Sequence, residues 1–171
     1  MARTLYLVGG PMGVGKTTLC RLLEHRLPAC AFLDGDWCWE MDPFVVTEET
    51  RRMVLDNIVY LLNSFLHCSV YENVVFGWVL HLPGTWAELE ARLDTAGWRV
   101  VRTVLVCAPE QLRARLEADI AAGRRPPDCV PRALDRLETC RRLPAAWQLD
   151  TTALSPAHVA DRLLAGTLEK P

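Results

Sequence analysis

The sequence predicts an α/β fold in which a parallel β-sheet lies between layers of helices. Short apolar runs, typical of strands buried on both faces, alternate along the chain with longer segments of helical periodicity. The segments between successive apolar runs are long enough for the crossover connections that parallel strands require. At 171 residues, with half of them apolar, the chain is expected to form one domain over residues 1–171.

The predicted elements alternate from the N-terminus. Strands are expected at 5–8, 29–33, 74–79, 100–107 and 147–149. Helices are expected at 16–27, 48–66, 85–96 and 131–142, with two more that begin at 109 and 156. Thr47 is a favourable N-cap for the second helix. Thr85 and Glu88 have the spacing of a capping box, and Gly97 is the expected stop of that third helix.

A glycine-rich segment connects the first strand to the first helix. Residues 10–17 read GPMGVGKT and match the pattern G-x-x-x-x-G-K-[ST]. Glycines let backbone N–H groups turn inward, and a helix N-terminus adds unpaired donors, so this segment is predicted to hold phosphate. The expected contacts are Gly10, Met12, Gly13, Val14, Gly15, Lys16, Thr17 and Thr18. The alternative is a turn that only connects strand and helix, and the flanking elements disfavour it.

Lysine usage supports this interpretation. The chain has 17 arginines and two lysines, Lys16 and Lys170. A compact ammonium group suits a phosphate at the position where this arginine-rich chain has kept a lysine. Lys16 is therefore expected to reach the β- and γ-phosphates, and the Thr17 hydroxyl is expected to ligate Mg²⁺.

Two carboxylates follow the second strand, at Asp34 and Asp36. In parallel sheets ligands bind beyond the carboxyl ends of the strands, which places both residues on the same side as the glycine loop. We expect Asp36 to act as the base that accepts the proton of an acceptor hydroxyl, and Asp34 to lie on the metal side. The reverse assignment and a simple Asp-Gly turn are the alternatives.

An arginine- and proline-rich segment breaks the helical pattern at 123–128 and predicts a small lid at about 121–131. A lid that closes over a nucleotide could bring guanidinium groups to the transferring phosphoryl group and exclude water. Arg125 is the expected catalytic arginine, and Arg124 and Arg115 are expected nucleotide contacts. For each arginine, a solvated surface position is the alternative.

Large aromatic side chains follow the second strand. Trp37 and Trp39 are predicted to line the site of a small-molecule acceptor, and ordinary packing of their loop is the alternative. The net charge of −2 disfavours a nucleic-acid partner, and the apolar runs are too short for a membrane span. Seven cysteines without a C-x-x-C pair, and a phosphate loop where a signal peptide would lie, predict a cytoplasmic protein. A monomer or a homodimer is expected.

On these motifs the sequence resembles small P-loop kinases of the nucleotide-kinase type, such as chloramphenicol phosphotransferase, gluconate kinase, adenylylsulfate kinase and tunicamycin-resistance-like ATP-binding proteins. The resemblance is carried by residues 9–18, 32–36, 115–125 and 149–152. It implies a three-layer P-loop NTPase fold with strand order 2-3-1-4-5, a closing lid, and ATP with Mg²⁺. It also implies that Asp36 binds or deprotonates the acceptor. The chain differs from these kinases at 37–39 and at Asp119, where many lids have an arginine.

The predicted function is transfer of the γ-phosphoryl group of ATP to a hydroxyl or phosphate of a small molecule, such as a nucleoside, nucleotide, sugar or antibiotic. The alternative is an ATP-binding switch or sensor that hydrolyses ATP slowly. A polynucleotide 5′-kinase would require a basic channel, which the charge balance disfavours.

Overall fold

The computed structural model describes residues 3–168; Lys170 lies outside them. Within this range the chain forms five strands and six α-helices. The strands are Arg3–Gly9 (β1), Cys30–Asp34 (β2), Asn73–Gly77 (β3), Trp98–Val106 (β4) and Gln148–Asp150 (β5). The helices are Lys16–Arg26 (α1), Glu48–His67 (α2), Pro83–Arg92 (α3), Pro109–Ala121 (α4), Cys129–Arg141 (α5) and Pro156–Leu168 (α6). Short 3₁₀ helices span Gly35–Trp39 and Ala145–Trp147.

The strands form one parallel sheet of order β2-β3-β1-β4-β5, which confirms the predicted fold class and order. β1 is central, with Leu5 aligned with Val74 on one side and Val100 on the other. Gly77 at the end of β3 aligns with Val8 of β1 and with Asp34 of β2. The carboxyl ends of β1, β2 and β3 therefore meet at one edge, where the loop after β1 and the carboxylates after β2 lie together.

Apolar side chains of the helices cover the sheet and hold its strands in place. Leu19 and Leu23 of α1 and Ile58 and Leu62 of α2 are buried completely or almost completely, as is Leu116 of α4. Burial of each such side chain contributes about 1.5–3 kcal/mol. This packing fixes the helices against the sheet edge that carries the candidate site.

The third helix is present as predicted, but its start, its cap and its end differ from the prediction. It begins at Pro83, which suits a first helical position, and Thr85 lies inside it without capping it. It ends at Arg92 and not near residue 96, because the Asn63 side chain donates a hydrogen bond to the Arg92 carbonyl at 3.1 Å and accepts one from the Asp94 backbone N–H at 2.9 Å. A residue 29 positions earlier in the chain thus terminates the helix.

Two other predicted boundaries differ from the structure, and one agrees with it. β3 ends at Gly77 and not at 79. Thr47 caps α2 as predicted, through a reciprocal pair of hydrogen bonds with Thr50. The connection between α4 and α5 covers residues 122–128, which is shorter than the lid predicted at 121–131.

Candidate active site

The loop between β1 and α1 folds as a phosphate cradle. Gly10, Gly13 and Gly15 have φ values of 143°, 78° and 109°, which side chains with a Cβ rarely adopt. At Gly13 a Cβ would also lie 2.7 Å from Leu116 of α4, so the loop and α4 pack closely. Among the described residues no side chain caps α1, and its first turn carries no acid. The backbone N–H groups of this helix end are thus left for an anion.

Lys16 lies across the mouth of this loop. Its Nζ donates a hydrogen bond to the Pro11 carbonyl at 2.8 Å. Burial lowers the pKa of Lys16 to about 8, and the nearby Asp36 and Asp34 carboxylates oppose that shift. A bound polyphosphate would place further negative charge beside the buried ammonium and would stabilise its protonated form.

Thr17 and Asp34 form a paired site beside the lysine. The Thr17 hydroxyl donates a hydrogen bond to Asp34 Oδ2 at 3.1 Å, and Asp34 Oδ1 accepts one from the Asp36 backbone N–H at 3.0 Å. Asp34 is buried at the end of β2, and its second hydrogen bond starts the following 3₁₀ helix. The structure therefore brings together the hydroxyl and the carboxylate that were predicted on the metal side.

Asp36 faces the same cleft but has no hydrogen-bond donor to its carboxylate within residues 3–168. Asp36 keeps an exposed surface, but partial desolvation of its carboxyl raises its pKa, and the Asp34 carboxylate raises it further. Lys16, Arg125 and Arg136 act in the opposite direction. A carboxylate with a raised pKa and free lone pairs is suited to accept a proton.

Arg125 reaches this cleft from the connection between α4 and α5. A cavity of about 230 Å³, which we call the Lys16 cavity, is lined by Met12, Gly13, Gly15, Lys16, Thr17, Thr18, Asp34, Asp36, Gly77, Asp119 and Arg125. Arg124 does not line it. Arg124 and Arg125 both donate hydrogen bonds to Asp119, which lower the pKa of that carboxyl.

Arg115 lies in a second cavity on the other side of the phosphate loop. Its guanidinium donates to the Val14 carbonyl at 3.3 Å and to the Thr151 carbonyl at 3.4 Å. This cavity of about 440 Å³, the Arg115 cavity, shares Gly13, Gly15, Thr18 and Asp119 with the Lys16 cavity. The two cavities therefore adjoin along the phosphate loop and together make up the cleft, with the Arg115 guanidinium in one and the Lys16 ammonium in the other.

The tryptophans of the 3₁₀ helix after β2 do not line either cavity. Trp37 packs against the Phe32 ring and beneath the Arg21 guanidinium of α1, although 49% of its surface remains exposed. Trp39 contacts Phe44, whose side chain is also exposed. Their loop nevertheless follows directly from Asp36, so it borders the cleft.

Two residues that the sequence did not assign to the site belong to its surroundings. The sequence distinguishes Asp119 only by its residue type, although spacings of five and six residues from Arg124 and Arg125 are compatible with ion pairs. Arg136 of α5 is half-buried and acts on the pKa of Asp36, although no ion pair within the described residues involves it. No local pattern distinguishes Arg136 from the other arginines, because only the packing of α5 brings it near β2.

Residues 7–127 match the protein family described as an AAA domain. The chain belongs to this family. The AAA domain match covers the phosphate loop, the carboxylates after β2, and the α4 helix with its arginines.

Solved structures share this fold along nearly the whole chain. The tunicamycin resistance protein of Deinococcus radiodurans has a TM-score of 0.70 at 20% identity and covers 96% of this chain and 95% of its own. A gluconokinase from Sinorhizobium meliloti has a TM-score of 0.69 at 20% identity, with 98% and 93% covered. Shikimate kinase from Acinetobacter baumannii has a TM-score of 0.61 at 21% identity, with 98% and 94% covered. The predicted resemblance to small P-loop kinases is thus confirmed in the fold.

One curated relative is a longer ATP-binding protein. The sulfate/thiosulfate import ATP-binding protein of Xylella fastidiosa is 33% identical over 129 residues, which cover 73% of this chain and 34% of that protein. The chain therefore spans about a third of the length of this relative. Within residues 3–168, no helix combines the length and the apolar character that crossing a bilayer requires.

Proposed function

We propose that the protein is an ATP-dependent phosphotransferase that moves the γ-phosphoryl group of ATP to a hydroxyl or phosphate of a small molecule. The observation that carries the proposal is the Lys16 cavity, in which a phosphate loop, a carboxylate with a raised pKa at Asp36 and a guanidinium at Arg125 converge. These are the three groups that phosphoryl transfer uses, for holding the triphosphate, for the acceptor proton and for the developing charge.

ATP and Mg²⁺ fit the residues that are present. Backbone N–H groups of 13–18 and the Lys16 ammonium would hold the β- and γ-phosphates. Thr17 and Asp34 provide the hydroxyl and carboxylate oxygens that Mg²⁺ prefers, in direct hydrogen-bond contact with each other. When bound, Mg²⁺ would neutralise part of the negative charge of the phosphates. Arg115 offers a flat cation to the nucleoside at the far end of the cleft.

The acceptor would occupy the side of the cleft next to Asp36 and the Trp37–Trp39 loop. There the Asp36 carboxylate takes the proton of the acceptor hydroxyl, or orients that hydroxyl in line with the γ-phosphorus. Arg125 stabilises the negative charge on the transferring group. Because Asp36 and Arg125 line the same cavity, they would hold the acceptor and the γ-phosphoryl group together, which lowers the entropic cost of the reaction.

The names of relatives support this reading. The matched structures include a gluconokinase, a shikimate kinase in complex with shikimate, and a tunicamycin resistance protein, and the curated relative is an ATP-binding protein. We further propose one domain over residues 1–171, a monomer or homodimer, a cytoplasmic location, and a partner that is a small molecule and not a nucleic acid.

The test is a panel of sugars, nucleosides, nucleotides, hydroxy acids and antibiotics, scored for ADP release that depends on the added compound. An active acceptor should lose its turnover with Lys16→Ala and should lose about 10²-fold or more in kcat with Asp36→Asn. Glu40→Gln is the matched control, because Glu40 is an exposed acid four residues from Asp36. Full transfer by Lys16→Ala would refute the proposal.

The second candidate, an ATP-binding switch, is favoured by one observation. Phe44, Val45 and Val46 are exposed by 65%, 44% and 46%, and this apolar segment borders the loop after Asp36. Such a segment could contact a partner protein. ATP turnover that no compound in the panel increases, together with a partner that distinguishes ATP from ADP, would support the switch over the kinase.

A further inference from the structure

Asp119 of α4 joins the two arginines that follow it. Asp119 Oδ1 accepts hydrogen bonds from Arg124 Nε at 3.0 Å and Arg124 Nη2 at 2.7 Å. Asp119 Oδ2 accepts one from Arg125 Nε at 3.0 Å. One carboxylate at the end of a helix therefore sets the orientation of both side chains in the connection between α4 and α5.

The two arginines use this carboxylate differently. Arg124 binds it through two nitrogens and is 63% exposed, so its guanidinium is committed to the ion pair and turned toward solvent. Arg125 binds it through Nε alone, is 35% exposed, and lines the Lys16 cavity. Within residues 3–168 its terminal nitrogens have no hydrogen-bond partner, and they have the fork geometry that recognises phosphate oxygens.

The position of Asp119 is unusual for an acid. It lines both cavities of the cleft and so lies where a polyphosphate would bind. An unpaired carboxylate there would repel the phosphates, since like charges at short range are unfavourable. Arg124 neutralises it, and the triad of Asp119, Arg124 and Arg125 keeps one net positive charge at the cavity. An acid in this place is consistent with a role in holding Arg125.

We propose that Asp119 is a positioning residue that holds Arg125 by its Nε so that the terminal guanidinium nitrogens point at the γ-phosphoryl group, while Arg124 neutralises the Asp119 carboxylate. This inference rests on the proposed phosphotransferase function. It divides the roles of the arginines: Arg125 contacts the transferring group, and Arg124 acts only through Asp119.

The test is a double-mutant cycle on kcat and on the KM for ATP. Arg125→Gln should lower kcat by about 10²-fold or more, and Asp119→Asn by about 10-fold, with less than about 3-fold change in the KM for ATP. Asp119→Asn should add less than about 2-fold in the Arg125→Gln background, because its effect passes through Arg125. Asp119→Glu should restore part of the loss. Glu117→Gln is the matched control, since Glu117 is an exposed acid on the same helix, 4.0 Å from Arg113.

Effects of Asp119→Asn and Arg125→Gln that multiply would overturn the inference, as would a loss with Arg124→Gln larger than that with Arg125→Gln. A second readout does not depend on acceptor turnover: binding of ADP with aluminium fluoride, which imitates the transferring phosphoryl group. Asp119→Asn and Arg125→Gln should weaken this complex and leave ADP alone unchanged. Absence of transfer by the wild-type protein would refute the proposed function, whereas equal trapping by wild type and Asp119→Asn would refute the role of Asp119.

Discussion

The lowered pKa of Lys16 makes nucleotide binding depend on pH. Burial brings the pKa of Lys16 from 10.5 to about 8, so near pH 8 about half of the free protein carries a neutral lysine. A bound polyphosphate stabilises the charged form, because an opposite charge at close range favours ionisation. Binding at pH 8 is therefore coupled to the uptake of about half a proton, whereas binding at pH 6.5 is not coupled through this residue.

The magnitude follows from the same linkage. Above pH 8 the fraction of protonated Lys16 falls about tenfold for each pH unit, and the affinity for ADP should fall with it, by about 1.4 kcal/mol per unit. Burial penalises the charged lysine, so the pKa of Lys16 is lower in the folded protein than in the unfolded chain. The stability of the free protein therefore rises as the pH rises from about 8 toward 10.5, and that of the complex does not.

Calorimetry in buffers of different ionisation enthalpy measures this proton directly. ADP binding at pH 8 should show buffer-dependent heat that corresponds to uptake, and at pH 6.5 the difference in proton uptake between wild type and Lys16→Arg should nearly vanish. Lys16→Arg is the control, because a guanidinium keeps its charge over this range and should show no uptake. Binding of ADP with no proton uptake at pH 8, or with affinity that is flat between pH 7 and pH 10, would refute the reasoning.

Three further changes test other parts of the site. Asp34→Asn removes the charge of the predicted metal side, and the Mg²⁺ concentration for half-maximal activity should rise about tenfold or more. Arg136→Gln removes a cation that lowers the pKa of Asp36, so the acid limb of the pH profile of kcat/KM should move to higher pH; an unmoved limb would exclude Asp36 as the titrating base. Gly13→Ala places a Cβ 2.7 Å from an α4 side chain at a φ of 78°, and urea unfolding should report a loss of about 1–3 kcal/mol. Gly84→Ala has open space around it and should not destabilise; equal losses for the two glycine variants would contradict the close packing of the loop.

The elements that carry the site could be predicted from the sequence because their signals are local. The apolar runs that form β1 and β2 are continuous. The glycine loop lies between a predicted strand and a predicted helix, and these flanking elements support its interpretation as a phosphate loop. The same reasoning placed Asp34 and Asp36 at the carboxyl edge of the sheet, where the structure has them.

What could not be predicted depends on contacts between distant segments. The end of α3 is set by the Asn63 side chain of α2, whereas the sequence near Gly97 offered a local stop that the chain does not use. Trp37 packs against Arg21 of α1, a cation–aromatic contact that periodicity does not reveal. Arg136 lies close enough to lower the pKa of Asp36, although it is 100 positions later in the chain and belongs to α5, which packs on α4 and β4.

Asp119 of α4 and the two arginines that follow it show which features of this region the sequence predicts and which it does not. The composition predicted a lid and favoured Arg125 over Arg124, and the cavity lining is consistent with that order. The role of Asp119 depends on which side of α4 it occupies and on where the chain turns after Ala121, and both follow from packing against the phosphate loop. Asp119, at a position where many lids have an arginine, forms an ion-paired triad with Arg124 and Arg125.

The most direct test of the central claim is phosphorus NMR of the protein mixed with Mg·ATP and an acceptor from the panel, because ATP, ADP, free phosphate and a phosphorylated product give separate signals. We predict that ADP and the phosphorylated acceptor form in equal amounts with little free phosphate, and that Lys16→Ala abolishes both signals. Formation of ADP and free phosphate at the same rate with and without every acceptor would contradict the assignment of this cleft to phosphoryl transfer.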